Sequence, residues 1–539
     1  MPFVKWPDFQ RPAGGPASME SRGLMIRILP IARASALAIG VALTPGGPTW
    51  AQADASTPPP TSGAAVHDEF YWLEQMNKAS DLMLVEQKII SPELASTIAR
   101  CVKRSIEEGD RPGGPRPGVS QYLALEARLV TMGGPEVTRL HSGRSRQDLQ
   151  ATVNRLTLRE RLLAYLDAMV IVRGDIAALA QAHIGTIVPA YTNGVQAQPV
   201  TLAHYVLAFD SAIARDVARA HEAYARLDMS PLGAAALGGS SFAIDRQRLA
   251  TLLGFTAVVD NTFDANLVAS MDVPLEVVDI AESSALTFGS WIEDWELQYH
   301  GPHPWLLLRD GQQTGPSSIM PQKRNPYGLI DVRVKASEVV AAAASFRFAA
   351  HNLATGMLDY KHGPADATLD RAFAMLDQMH KMLNAVVVDP TRALAEVNED
   401  YSTTTELADA LQREAGVPFR VGHQFASELV SYGRSHELRA SQLPFDEARR
   451  IFREEAQRLG LTPAELPTGE ARFRELLTPE NMVSSARVQG GPQRGEVERM
   501  LSLALADVRE DKAWLERTRN QLGQAQAHLD AAFEALAAH

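Results

Sequence analysis

Three polar segments interrupt an otherwise apolar-rich chain, and each carries side chains able to bind or transform a small anion. The first is His141-Ser142-Gly143-Arg144-Ser145-Arg146-Gln147-Asp148, which runs directly into a helical stretch beginning near Leu149. Unpaired backbone N–H groups at a helix start and guanidinium forks both point at carboxylate or phosphate, which makes this a candidate anion site. It reads equally well as a capped, solvated helix start in which Asp148 offsets the arginines. The second segment, Tyr191-Thr192-Asn193-Gly194-Val195-Gln196-Ala197-Gln198-Pro199, also precedes a helix. Its Thr and Asn either cap that helix or offer hydroxyl and amide groups to a ligand. The third is Thr314-Gly315-Pro316-Ser317-Ser318-Ile319-Met320-Pro321-Gln322-Lys323-Arg324-Asn325-Pro326. Glycine and proline around two serines, then Lys and Asn at alternate positions, describe either an exposed basic turn or a loop whose polar groups converge on one anion. Gly311 and Gly315 would let such a loop move as a lid.

The elements that must position these segments read as helices. Leu162, Leu163, Leu166, Met169, Val170, Ile176, Leu179 and Ala180 recur at three- and four-residue spacing, the mark of a long helix burying one stripe. Helix-length runs cover Leu202–Leu227, Leu275–Tyr299, Val332–Asn352 and Ala367–Val387, bounded by Gly, Pro or polar turns. A run from Glu496 to His539 reads as a closing helix or helix pair, with a stripe suited to core or subunit contact because its polar face mixes both charge signs. Alternating strand patterns are hard to find. The expected fold class is all-α, with long helices packed as a bundle.

Composition narrows the chemistry. At 539 residues the chain is long enough for about three domains. With 45% hydrophobic and 22% charged residues, it has ordinary globular usage. A net charge of −12 supplies no basic field for a phosphate backbone, so nucleic acid is not an expected partner. Cys101 is the one cysteine, which excludes an intrachain disulfide and a cysteine-based metal cage. No Gly-rich dinucleotide or Walker loop, nucleophile elbow or metalloprotease helix is present, and His300 and His303 sit in a Gly-Pro turn that reads as surface loop. Neither cofactor nor metal is therefore expected. Arg22, Arg27 and Arg33 precede the apolar run Ala34–Leu43, then a Pro/Gly break and Ala51-Gln52-Ala53. That order predicts a secretory signal peptide cleaved near Ala53, too short to remain as a membrane span. An exported, periplasmic product follows, or a cytoplasmic one if the segment is only an N-terminal extension.

The third segment resembles the signature loop of the aspartase/fumarase superfamily, and the surrounding sequence is most similar to argininosuccinate lyase and its delta-crystallin relatives. The first two segments match that family's corresponding stretches. So do Ser230-Pro231-Leu232-Gly233 through Phe242-Ala243-Ile244-Asp245-Arg246, Thr403-Thr404-Thr405-Glu406-Leu407-Ala408-Asp409 and Gly416-Val417-Pro418-Phe419-Arg420. The matches run in family order over roughly residues 115 to 500.

The resemblance implies three mostly helical domains, a homotetramer with a twenty-helix core, and active sites assembled from three subunits. The division expected is a signal peptide at 1–53, a linker at 54–67, an N-terminal helical domain at 68–143, a central bundle at 144–398 and a C-terminal helical domain at 399–539. The reaction implied is anti elimination from a succinyl substrate, a dicarboxylate or aminopolycarboxylate, with loss of fumarate. Ser317 matches the loop serine that acts as base, while Lys323 and Asn325 match the carboxylate-binding pair. Ser145, Arg146 and Gln147 match the substrate-binding group of the first segment. Asn193, Gln198, Ser318 and Met320 fall at substrate-binding positions, and Thr192, Tyr122 or Tyr191 is a candidate for proton delivery. This chemistry explains the residue types, because a carbon acid beside a carboxylate ionises only if preplaced donors meet the added charge.

Several positions depart from the family. Asn193 stands where the family has a His, so that Glu293 lacks its usual partner. Tyr122, Gln147, Pro316 and Ile330 replace a His, an Asn, a Gly and a Glu. These changes retain a dicarboxylate grip but suggest another leaving group than that of argininosuccinate. A C–O lyase or cycloisomerase on the same fold, and a non-catalytic binding or structural protein, are the alternatives.

Overall fold

A computed structural model describes residues 66–301, 303–357 and 364–539. The signal-peptide expectation, and most of the linker with it, lies outside the described residues. The first helices, α1 (Glu69–Glu86), α2 (Pro92–Gly109) and α3 (Tyr122–Gly133), precede α4 (Arg146–Ala182), a rod of 37 residues. The hairpin β1 (Ile187–Thr192) and β2 (Val195–Thr201) turns the chain back into α5 (Leu202–Leu227). Then come β3 (Met229–Ser230), α6 (Arg246–Leu252), β4 (Ala257–Val258) and α7 (Ala269–Leu297), which opens on a π-helical turn at Asp264–Val268. Strands β5 (Leu306–Leu308), β6 (Gly315–Pro316) and β7 (Arg324–Asn325) lead into α8 (Tyr327–Ala350) and α9 (Pro364–Leu383). Strand β8 (Val386–Val388) follows, then α10 (Pro390–Val397), α11 (Thr404–Ala415), α12 (Phe419–Ser435), α13 (Phe445–Arg458), α14 (Glu470–Leu476), α15 (Pro479–Ser485) and α16 (Arg494–Ala537).

The expected helical class is what the chain forms. Helix α5 has the bounds read from its periodicity, and the run after Glu496 is one unbroken helix rather than a pair. The strands went unread, and they pair only in twos: β1–β2, β5–β8 and β6–β7 antiparallel, β3–β4 parallel.

Helices α4, α5, α7, α8 and α9 form the central bundle around one apolar core that includes Leu162, Leu166, Met169, Ile213, Phe288, Trp291 and Leu376. Burying each such side chain stabilises the fold by roughly 1.5–3 kcal/mol. A second core gathers α1 to α3, the first turns of α4, α6 and, from the far end of the chain, Leu529 and Phe533 of α16. A third lies among α11 to α14. Polar contacts fix how the bundle runs. Arg155 Nη1 near the start of α4 donates to Arg226 O (2.9 Å) and Leu227 O (3.1 Å) at the end of α5. Tyr205 at the start of α5 donates to Asp294 (3.0 Å) at the end of α7. Asp175 late in α4 meets His380 (2.6 Å) late in α9. One end of the bundle therefore carries the start of α4, and the other carries the β1–β2 hairpin and the β6–β7 loop. Midway, the fully buried Arg173 of α4 pairs with Asp210 of α5 (3.0 Å) and with Asp511, fastening α16 to the bundle.

Candidate active site

At the start of α4, Ser145 is the N-cap, its Oγ accepting the Gln147 N–H at 3.3 Å. Asp148 closes the cap by accepting the Ser145 N–H at 2.8 Å, and its other oxygen accepts Gly233 N–H (3.0 Å) and Ala235 N–H (3.2 Å). Asp148 is wholly buried, and burial pushes its carboxyl up to about 6 against the pull of those donors and Arg144. Its role is thus to tie the helix start to the 233–235 loop, not to offset surface arginines. Arg144 is likewise structural, held by Asn77 Oδ1 at 3.0 Å and Leu140 O at 3.3 Å. His141 packs on Tyr122 with ring centroids 4.8 Å apart, and burial, with Arg144 beside it, pushes its pKa down to about 4. Gly143 is left-handed (φ +70°), and a Cβ there would meet Ile244 at 2.6 Å. What this fixed frame leaves outward is the Arg146 guanidinium, exposed and without an ion pair among the described residues, beside the half-buried Ser145 and Gln147. The capping reading therefore holds on Ser145 and Asp148, while Arg146 is left free for an anion.

The second segment is a hairpin, so of its two readings Thr192 and Asn193 do not take that of capping the helix that follows. Asn193 (φ 52°) and Gly194 (φ 75°) are both left-handed, the two-residue turn that matches the twist of antiparallel strands and favours Asn-Gly. The helix cap belongs to Thr201, whose Oγ1 accepts the His204 N–H at 3.2 Å. Thr192 pairs with Val195 across the turn, and Ala190 with Gln198. Thr192, Asn193 and Gln198 are exposed. The hairpin is braced by Gln196, which donates to Val397 O (3.0 Å) and Ser402 Oγ (3.1 Å), and by Tyr191, which donates to Glu396. Burial and the Glu396 carboxylate raise the Tyr191 phenol, which is held by that hydrogen bond, and burial raises that of Tyr122, which packs on His141. Glu293 is exposed at the same end of α7.

The third segment is a loop held at its neck. Gly315 pairs with Asn325 and Pro316 with Arg324, and a Cβ on Gly315 would lie 2.0 Å from the Tyr327 ring. Gly315 thus packs closely at the neck of the loop, and Gly311 is left-handed at φ +72°. Inside the loop, Ser317 Oγ accepts N–H bonds from Met320 (3.2 Å) and Ile319 (3.4 Å). Lys323 N–H donates to Met320 O at 3.1 Å. The Lys323 side chain is exposed, with no ion pair among the described residues, and Ser318 and Met320 are exposed beside it. Asn325 Nδ2 donates to Gly315 O at 3.3 Å, so part of its amide braces the loop. Arg324 is occupied by Asp310 (3.3 Å) and Pro321 O (2.9 Å). Two N–H groups aimed at one hydroxyl oxygen stabilise its alkoxide, which is what a serine base needs.

The chain does not bring the three segments together. Helix α4 separates the first from the second by 37 residues, or about 55 Å at 1.5 Å per residue. The second and third share one end of the bundle, yet no hydrogen bond or ion pair joins any of the three segments to another among the described residues.

Residues 127–341 match the family described as Lyase, and residues 401–484 the one described as Argininosuccinate lyase C-terminal. The argininosuccinate lyase of Methanoculleus marisnigri is 35% identical over 419 residues, 76% of this chain and 81% of that one. That of Methanosarcina acetivorans is 31% identical over 477 residues, covering 86% and 92%. Among solved structures, an EDDS lyase variant with bound fumarate superposes with a TM-score of 0.77 at 26% identity, over 87% of this chain and 92% of that one. The chain belongs to the argininosuccinate lyase family and is a carbon–nitrogen lyase.

Proposed function

We propose that the enzyme is a cofactor-free homotetramer that eliminates an amine from an N-substituted aspartate and releases fumarate, with a leaving group other than that of argininosuccinate. The observation that carries the reading is Ser317, whose oxygen is met by two backbone N–H groups in a loop that also presents Lys323 and Asn325. Ser317 takes the proton from the carbon beside a carboxylate. Lys323 and Asn325 meet the charge that builds on that carboxylate, and the C–N bond opposite breaks with the electron pair leaving on nitrogen. Ser145, Arg146 and Gln147 grip the second carboxylate, and the Thr192 hydroxyl returns a proton to the amine. The fumarate bound in the EDDS lyase structure supports this product class. Asn193, lodged in the turn, cannot titrate, and this favours an amine that leaves without the acid the family His provides.

Because α4 holds the first two segments about 55 Å apart, a complete site needs more than one copy of the chain. Exposed Leu286, Val334 and Phe348 on α7 and α8 supply apolar surface for such an assembly. Export with cleavage near Ala53 is part of the proposal, checked by N-terminal sequencing of protein from the periplasmic fraction. The test of function is fumarate release, followed by proton NMR, from argininosuccinate and a panel of N-substituted aspartates, with Ser317→Ala alongside. Fumarate that disappears in the variant supports the reading; turnover retained by Ser317→Ala removes the assigned base.

A further inference from the structure

The loop that carries Ser317 and Lys323 begins and ends on one buried side chain. Gln378, on α9 and only 8% exposed, has a single amide nitrogen with two hydrogens. One is donated to Gln313 Oε1, on the segment entering the loop, and the other to Gly328 O, in the first turn of α8 at its exit (3.5 Å). Gly328 O can only accept, so the group facing it must be the amide NH₂, and the orientation of Gln378 follows. The two stems also bond directly, Gly328 N–H to Gln313 O at 2.8 Å. They approach so closely that a Cβ on Gly328 would sit 2.7 Å from Gln313 Cβ. Gln313 itself is left-handed (φ 58°), a conformation an L-residue holds only where its surroundings enforce it.

We propose that Gln378 is a positioning residue: its buried amide pins both stems of the 314–327 loop to one point on α9, and so fixes where the tip presents Ser317 and Lys323. The residues between the stems lean outward, with Ile319 82% exposed, and the β6–β7 pairing inside the loop is only two residues long. The node on α9 therefore adds a tie between the loop base and the bundle core to the one that Gly328 of α8 makes. Misplacement of reacting groups by about 1 Å costs on the order of a hundredfold in rate, so a loose base should be read in turnover. The inference rests on the loop being catalytic.

The test uses the full-length protein. Gln378→Met keeps the length and burial of the side chain and removes both donors. It is expected to speed hydrogen exchange across 314–327 about tenfold and to lower kcat by about tenfold to a hundredfold, with the thermal midpoint little changed. Gln378→Glu should show the same defect at pH 8, and the ratio to native enzyme should recover toward pH 5 as the introduced carboxyl takes up a proton and regains one donor. Should Gln378→Met fail to fold, Gln313→Gly removes the acceptor while relieving the left-handed backbone, and the same loosening is expected. Native exchange across the loop in these variants, or faster exchange with native kcat, overturns the proposal. Retained turnover in Ser317→Ala would overturn the catalytic reading of the loop instead, and the exchange data would still report whether Gln378 clamps it.

Discussion

Ser317 is the base of the proposed reaction, and its oxygen sits where the Ile319 and Met320 N–H groups converge. Removing the hydroxyl should lower turnover by about a hundredfold or more, read as fumarate formed per site, while binding of fumarate itself changes little. A different residue governs how the protein responds to pH. Asp81, wholly buried in α1, has neither carboxyl oxygen hydrogen-bonded, and burial pushes it up to about 8 from an ordinary 3.8. The folded chain holds a proton that the unfolded chain releases. The linked stability, on the order of 5 kcal/mol, is thus present in full below pH ~4 and is lost as pH rises through about 8. Thermal midpoints at pH 5 and pH 8 should fall apart in the native protein and draw together in Asp81→Asn; equal slopes in the two would show that Asp81 is ionised throughout.

Among the elements, helices were legible because their apolar spacing is local: α5 could be bounded to the residue, and the second half of α4 showed in its stripe from Leu162 to Ala180. The strands were harder for two separate reasons. The β5–β8 pair joins Leu306–Leu308 to Val386–Val388, a partnership that no local pattern announces. The β1–β2 hairpin did carry a signal, the dipeptide Asn193-Gly194, whose preference for a two-residue turn was masked by the helix that follows. The site was legible as three sets of residue types, but not as an arrangement, since nothing local says that Asp148 faces inward or that Gln378 meets the loop. Asp148 gives the sharpest check at this scale. Asp148→Ala leaves the Gly233 and Ala235 N–H groups buried without acceptors, at about 1–3 kcal/mol each, so the thermal midpoint should drop and the 233–235 segment should exchange faster. An unchanged midpoint would mean the loop finds other acceptors.

For the whole molecule, the separation along α4 means that the proposed site requires an assembly of copies. If the first and third segments of each site come from different copies, two inactive chains should repair one another. Mixing Arg146→Ala with Ser317→Ala should restore activity to about a quarter of the sites at random association, since each intact site draws an unaltered segment from each kind of chain. Activity that stays at the level of either variant alone would place both segments in one copy.

Helix α16 has a bearing on how the chain is made. Its Leu529 and Phe533 are sealed inside the same core as Phe70, Leu73 and Met76, and Lys78 bonds Asp530 across 452 residues of sequence. On a ribosome the first helices emerge long before α16, so the core they share closes only after about 450 further residues have been made.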